Sequence, residues 1–358
     1  MTPRPAPHPD FTPRLAADHV TIGGHAHAVR QRVVLATPFF TLLHFEHAAL
    51  PAASRILVVE PLSGIRASML FDMLTDLQAN CDVYTLIWTD PANVEVTAGT
   101  FGLDDNIDAV IYALQYLGPG THLIGLCQSA MPALAATAIL CAGEPTSRPA
   151  SLTLLGGKLD TRINPTRLDA LTRDFTLGWF VRNTITLVPP FRRGAGRAVY
   201  SAGLQSVLLL TYIARHTLTG GEIFRKIVHD DGDDTAAHPF LGLLFSPVAI
   251  PAEFFLDTVF TAFHDSTLAE GRLHWRGLKV DPGAITDVPL LTIEAEEDDI
   301  AAPGQTYVAH RLCTALPPAL RAHHLEPGIG HFGLFHGAVW RGRILPRLLG
   351  FLRGHARS

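Results

Sequence analysis

The stretch that most constrains this chain is Thr121-His122-Leu123-Ile124-Gly125-Leu126-Cys127-Gln128-Ser129-Ala130-Met131-Pro132. An apolar run closes at Gly125 and a long Ala/Leu-rich helical run follows, so Cys127 falls on the turn between strand and helix. A sharp turn of this kind forces strained dihedrals on its central residue and crowds the residues two before and two after it. Small side chains are wanted at both places, and Gly125 and Ser129 meet that demand. The pattern small-x-Cys-x-small is that of a nucleophile elbow, which presents its central side chain at the top of a sheet. A thiol there is a stronger nucleophile than a hydroxyl. A buried structural cysteine behind a core strand fits the same five residues equally well, so the decision passes to the rest of the chain.

Two short β-branched-rich runs, residues 55–61 and 81–88, read as strands, with a helical pattern over residues 67–79 between them. Apolar residues at Leu103, Ile107, Val110, Ile111 and Leu114 mark one face of a helix that Gly118-Pro119-Gly120 stops. Residues 151–155 and 289–293 supply two further buried strands. Apolar strands alternating with helices indicate a mostly parallel sheet with helices on both faces. The strands stop near Leu155 and resume near Val288, and a gap on the order of 130 residues is a substructure rather than a loop. The arrangement resembles an α/β-hydrolase with an inserted, mainly helical cap. The expected division is a flexible leader and first N-terminal strands over residues 1–30, core over 31–160, cap over 161–287 and core again over 288–358.

Composition narrows the function classes. Hydrophobic residues make up 47% of the chain and mean hydropathy is +0.22. Pro and Gly nevertheless interrupt every apolar run well short of the roughly 18 residues that a membrane span needs. The Pro-rich first ten residues carry no apolar segment behind their charge, so they read as a leader rather than a secretory signal, and a cytoplasmic location is expected. A formal net charge of -5 without a sustained Lys/Arg run offers nothing to nucleic acid. Cys81, Cys127, Cys141 and Cys313 lack CxxC spacing, so neither a metal site nor a disulfide framework is suggested.

In α/β-hydrolases the chain order is nucleophile, acid, histidine, with the acid after a late strand and the histidine near the C-terminus. Residues 290–295 open into Glu296-Glu297-Asp298-Asp299-Ile300, an acidic loop whose alternative reading is a solvated charge run. Spacing does not choose between Asp298 and Asp299. Among 18 histidines, His331 in Gly328-Ile329-Gly330-His331-Phe332-Gly333 combines a tight Gly-rich loop, the right chain order and a preceding strand-like stretch. His310, His323, His324 and His336 read as surface or helix residues. An oxyanion site needs two backbone N–H donors. One is expected from Gln128, directly after the nucleophile, and the other from Leu62 in Glu60-Pro61-Leu62-Ser63-Gly64.

These residues, together with residues 32–45, 101–108 and 155–166, Val280-Asp281-Pro282 and Gly304-Gln305-Thr306, resemble the intracellular poly(3-hydroxybutyrate) depolymerases. These are cysteine-nucleophile α/β-hydrolases related in architecture to polyhydroxyalkanoate synthases. The Cys-Gln element followed by Pro132 is the most specific part of the match, which spans nearly the whole chain. The resemblance implies Cys127 as nucleophile, Asp298 rather than Asp299 as acid and His331 as base. Ser129 stands where such enzymes often carry proline, and Trp88-Thr89-Asp90-Pro91-Ala92-Asn93 departs from their usual Trp-x-Asp-Ala-Arg.

The implied activity is hydrolysis of polyhydroxyalkanoate esters, foremost amorphous poly(3-hydroxybutyrate) or its oligomers, through a thioester acyl-enzyme. No bound cofactor is implied, although coenzyme A could replace water as acyl acceptor. Expected partners are the polymer or the granule surface, with a homodimer among the assemblies left open. Phe175-Thr176-Leu177-Gly178-Trp179-Phe180 and Phe254-Phe255-Leu256 are richer in large apolar groups than a solvated insertion needs, so Trp179 and Phe255 are candidate polymer contacts, with cap packing as the alternative. Two rivals are a synthase-like acyltransferase, whose elbow resembles Gly-x-Cys-x-Gly-Gly where this chain has Ser129-Ala130, and a non-catalytic granule binder.

Overall fold

The computed structural model describes residues 15–47, 54–63, 70–207 and 248–356. Its centre is an eight-stranded sheet made of β1 (Arg30–Ala36), β2 (Phe40–Glu46), β3 (Arg55–Val59), β4 (Asp82–Trp88), β5 (His122–Leu126), β6 (Leu152–Leu155), β7 (Leu290–Ala295) and β8 (Arg321–Glu326). The spatial order is β1-β2-β4-β3-β5-β6-β7-β8. β1 and β2 pair antiparallel and β2 joins β4 antiparallel, while every pair from β4 to β8 is parallel. This is the α/β-hydrolase fold that the sequence led us to expect.

Alternation along the strands explains why the sheet needs helices on both faces. In β3, Ile56 and Val58 pack with Leu43, Phe45, Ile124 and Trp340 on one side, while Leu57 and Val59 pack with Leu42, Leu123 and Leu134 on the other. Residues of opposite parity point to opposite faces, so a strand apolar at every position is buried twice. The first face is covered by α1 (Phe71–Gln78) and the C-terminal α7 (Leu345–Gly354). The second is covered by α2 (Leu103–Leu117) and α3 (Ala130–Gly143). α3 is buried from Ala130 through Ala138, and its run of alanines lets it lie close to the sheet.

The order along the chain reverses at β3: β4 lies on one side of it and β5 on the other. Such a switch opens a crevice at the C-terminal ends of the strands, where open α/β sheets bind ligands. The leader differs in part from expectation. Leu15 and Ala16 are buried, the Leu15 N–H donates to Gln31 Oε1 at 3.0 Å, and the Ala17 N–H donates to Thr75 Oγ1 at 3.0 Å, so this end is packed onto the core. Residues 1–14 lie outside the described part, as do residues 67–69 of the expected first helix.

Between β6 and β7 the described part of the insertion contains α4 (Arg167–Asp174), α5 (Leu177–Thr184) and α6 (Ala252–Thr258). Two small antiparallel sheets accompany these helices, one three-stranded and one a hairpin of His274–Trp275 with Leu278–Lys279. The insertion is stitched to the core by satisfied polar groups. Arg197 donates to the carbonyls of Val94, Glu95 and Gly99, and Asp257 Oδ2 accepts from the Leu103 N–H at the start of α2. Asp169 on α4 is fully buried and accepts from Lys158 Nζ, from Gln305 Nε2 at 2.8 Å and from the Thr166 N–H at 2.8 Å.

Removing one partner of a buried ion pair leaves the other charge and its hydrogen-bond donors unmatched. Asp169→Ala is therefore expected to lower unfolding free energy by about 3 kcal/mol, read by urea denaturation. Arg193→Ala, which breaks the exposed pair with Glu95, should cost less than about 1 kcal/mol. Equal losses would contradict the role given to Asp169.

Candidate active site

The C-terminal ends of β3, β5, β6, β7 and β8 converge on Cys127. β5 ends at Leu126, and Cys127 opens a single 3-10 turn, Cys127–Ser129, that runs into α3. Its φ of +49° lies in the left-handed region, which costs a non-glycine residue on the order of 1–3 kcal/mol. The strain is sustained by tight packing beneath it. A Cβ on Gly125 would come within 2.8 Å of Ala133 Cβ and 3.1 Å of Ala130 Cα. One on Gly157, just past β6, would overlap the Ala130 side chain.

Ser129 is more than small. Its Oγ accepts from the Leu126 N–H at 2.8 Å and lies 2.8 Å from the Val59 carbonyl and 2.9 Å from that of Leu126, either of which can take its one proton. The elbow is thereby sewn to the end of β3. Proline at this position, as in the resemblance, could not make these bonds.

His331 opens a short turn, His331–Leu334, after β8. It is buried, with Phe332 and Phe335 set edge-on to its ring at centroid distances of 5.5 and 5.3 Å. Gly156, at φ +56°, leaves room for it: a Cβ there would stand 3.1 Å from His331 Cε1. The carboxylate that meets the ring is that of Asp298, whose Oδ2 accepts from His331 Nδ1 at 2.7 Å. Asp298 Oδ1 accepts from the N–H groups of Ile300 and Ala301 at 2.8 and 2.7 Å, which fixes the carboxylate plane. With Nδ1 taken, Nε2 is the nitrogen left to face the Cys127 sulfur, which acts electrostatically on the same imidazole.

Burial alone would push the His331 pKa down, because a charged ring loses its water. The Asp298 carboxylate, hydrogen-bonded to the ring, and the neighbouring Cys127 sulfur outweigh burial and raise it to about 10. The Cys127, Asp298 and His331 expected from sequence thus lie together, with Asp298 hydrogen-bonded to the ring.

The oxyanion donors come out differently. The Leu62 N–H does reach the elbow, but it donates to Gln128 Oε1 at 2.8 Å and is not open to a ligand. Trp179 and Phe255 belong to one aromatic chain. Phe175 stacks on Trp179 at 4.1 Å, Trp179 meets Phe180, Phe180 meets Phe255, and Phe255 stacks on Tyr200 at 4.3 Å. Both remain partly exposed.

Of the four histidines expected at the surface or on helices, His323 and His310 meet that expectation, while His324 and His336 depart from it. His336 is buried, His324 is partly buried on β8, and His323 on the same strand is exposed. His310 does sit on a short helix, Ala309–Leu312, but is buried there, and Thr292 Oγ1 lies 2.8 Å from both its Nε2 and His323 Nδ1. Desolvation lowers the His310 and His336 pKa values to about 4. Thr306 was not expected to serve the site, yet its Oγ1 accepts from the Gly157 N–H at 2.7 Å and braces the turn behind Cys127. The paired glycines after β6 were the available signal, since a Gly-Gly facing an elbow implies close approach. Among the described residues no group of three or more His, Cys, Asp or Glu side chains is placed to hold a metal ion, and no helix is long and apolar enough to cross a membrane.

His331 is raised above its ordinary value of 6.5, so its interactions add stability that is complete below about pH 6.5 and is lost as pH rises through about 10. In Asp298→Asn the downward push of burial loses its main opponent. NMR titration of the His331 ring is expected to give a clearly lower midpoint in that variant than in the wild type, and an unchanged midpoint would detach Asp298 from the ring's ionisation.

Comparison with known proteins places this geometry. No curated protein sequence matches the chain. Among solved structures, a soluble variant of monoglyceride lipase from Saccharomyces cerevisiae, in complex with a substrate analog, superposes with a TM-score of 0.55 at 11% identity, covering 92% of this chain and 96% of that one. A hypothetical protein from Pseudomonas aeruginosa gives a TM-score of 0.53 at 14% identity over 99% of both chains. At such identities the likeness is one of fold. Residues 156–356, more than half of the chain, match the family described as PHB de-polymerase C-terminus, a segment that holds the cap, Asp298 and His331 and begins after Cys127. The chain belongs to the PHB depolymerase family and, as a member, is a carboxylic ester hydrolase.

Proposed function

We propose that this protein cleaves the ester bonds of polyhydroxyalkanoates, foremost amorphous poly(3-hydroxybutyrate) or its oligomers, with Cys127, His331 and Asp298 acting as a triad. The observation that carries the reading is a strained elbow cysteine beside an imidazole that a buried carboxylate holds at Nδ1. Family membership supports the choice of substrate class. His331 takes the Cys127 proton, and the thiolate attacks the ester carbonyl to give a tetrahedral intermediate. The Gln128 backbone N–H is one donor to the oxyanion. Collapse expels the alcohol end of the chain, protonated by His331, and leaves a 3-hydroxyacyl thioester on Cys127. Water activated by His331 then releases the acid, and coenzyme A in place of water would release the hydroxyacyl-CoA. Asp298 keeps the ring in the productive tautomer and stabilises its charged form. The setting expected is the cytoplasm, on or near polymer granules.

Iodoacetamide is expected to inactivate the enzyme by modifying Cys127 ahead of Cys81 and Cys313, which are buried and whose pKa values burial pushes up to about 12. Cys127→Ala should abolish turnover. Asp298→Asn should lower kcat by about 10²–10⁴-fold, whereas Asp299→Asn leaves it within a few-fold. Release of hydroxybutyrate from polymer separates this reading from a synthase-like acyltransferase, which would instead lengthen polymer from hydroxyacyl-CoA. A non-catalytic binder would show neither activity.

Trp179 and Phe255 are assigned to the polymer path. Only a long substrate reaches remote subsites whose binding energy helps hold its ester at the sulfur. Trp179→Ala or Phe255→Ala should therefore impair hydrolysis of amorphous granules several-fold more than that of a short soluble ester. Equal losses, or a fall in Tm that accounts for them, would return both residues to the cap's own packing.

A further inference from the structure

The second oxyanion donor is the point at which the structure parts from the expected site, and two observations on one residue suggest what takes its place. Leu62, whose N–H should have served, gives that N–H to Gln128 Oε1 at 2.8 Å. At the other end of the same amide, Gln128 Nε2 is buried and has no hydrogen-bond partner among the described residues. An N–H can only face the oxygen end of a carboxamide, so the Leu62 bond fixes which end is which. The two N–H bonds of Gln128 are left as the unspent donors, on the residue that directly follows Cys127.

A buried donor without an acceptor is costly and rare in native proteins, and where one occurs it calls for an explanation such as a catalytic role. The region around it is rigid. Ser129 ties the elbow to the Val59 carbonyl, and Val59 leads within three residues to Leu62. Both ends of the Leu62–Gln128 bond are thus anchored to the same seam between β3 and β5.

We infer that the Gln128 side-chain amide, oriented by the Leu62 N–H, donates from Nε2 to the oxyanion formed at Cys127, so that Leu62 positions the donor instead of being it. This rests on the reading of Cys127 as the nucleophile. The donor set would then be the backbone N–H and the side-chain N–H of one residue. Such a donor is held in place before reaction, and the charge that forms on the carbonyl oxygen supplies the acceptor it lacks at rest. In the opposite arrangement Gln128 is a plug that a substrate carbonyl displaces to reach the Leu62 N–H.

The test uses the full-length protein and a short soluble ester of 3-hydroxybutyrate, with kcat and KM compared for wild type, Gln128→Ala, Gln128→Glu and Cys127→Ala. Alkylation of Cys127 by iodoacetamide is followed in parallel, because that displacement passes through no tetrahedral intermediate. A donor role predicts that Gln128→Ala and Gln128→Glu lose about 10²–10³-fold in kcat, with KM within a few-fold and the alkylation rate within about twofold of wild type. An unchanged or increased kcat in Gln128→Ala would overturn the inference, an increase pointing to the plug. Parallel losses of turnover and alkylation would also overturn it, by showing that the side chain only supports the elbow. Activity persisting in Cys127→Ala would mark failure of the underlying nucleophile reading instead.

Discussion

The contact between the base of the elbow and the first turn of α3 is the constraint on which the site depends. Cys127 holds an unfavourable left-handed conformation only because the chain around it cannot relax. Gly125 lies against Ala130 and Ala133, and Gly157 lies against Ala130, at distances where one added carbon would collide. Close packing transmits such a collision instead of absorbing it. The small residues are therefore spread over β5, the turn after β6 and α3, and no one of them produces the geometry alone.

Electrostatics in the site follow from burial. A fully buried imidazole would ordinarily be neutral, yet His331 is held well above its ordinary pKa by the carboxylate and the sulfur on either side of it. His310 and His336, buried near the positive charges of Arg321 and Arg341, go the other way, to about 4. Burial is common to all three; the charges beside the ring decide the direction. Asp298 can play its part because two backbone N–H groups already hold its other oxygen.

The cap is attached by the same economy of satisfied polar groups. Asp169, Arg197 and Asp257 sit on the insertion and spend their hydrogen bonds largely on core backbone or on buried core side chains. Lys158 and Gln305 belong to the turns after β6 and β7, so the attachment shares residues with the segment that carries Gly157 and Thr306 behind Cys127. A displacement of the cap at α4 would therefore be felt at the back of the elbow.

The sequence by itself determined much of the framework, because the relevant forces act over a few residues. Periodicity along the chain located α2 from Leu103 to Leu117, the strands flanking the elbow and the long interruption before Val288. The turn geometry demanded by Gly125 and Ser129 singled out Cys127, and the Gly-rich loop singled out His331. What it did not determine were facts about neighbours distant in sequence. Spacing could not separate Asp298 from Asp299, since both lie on one loop and only the path of β8 brings His331 to one of them. The burial of His310 and His336 was not legible because a polar residue's burial depends on partners elsewhere, here Thr292 beside His310. Leu62 was placed at the right loop, but whether its N–H stayed open was decided by a side chain 66 residues away that tertiary packing laid across it.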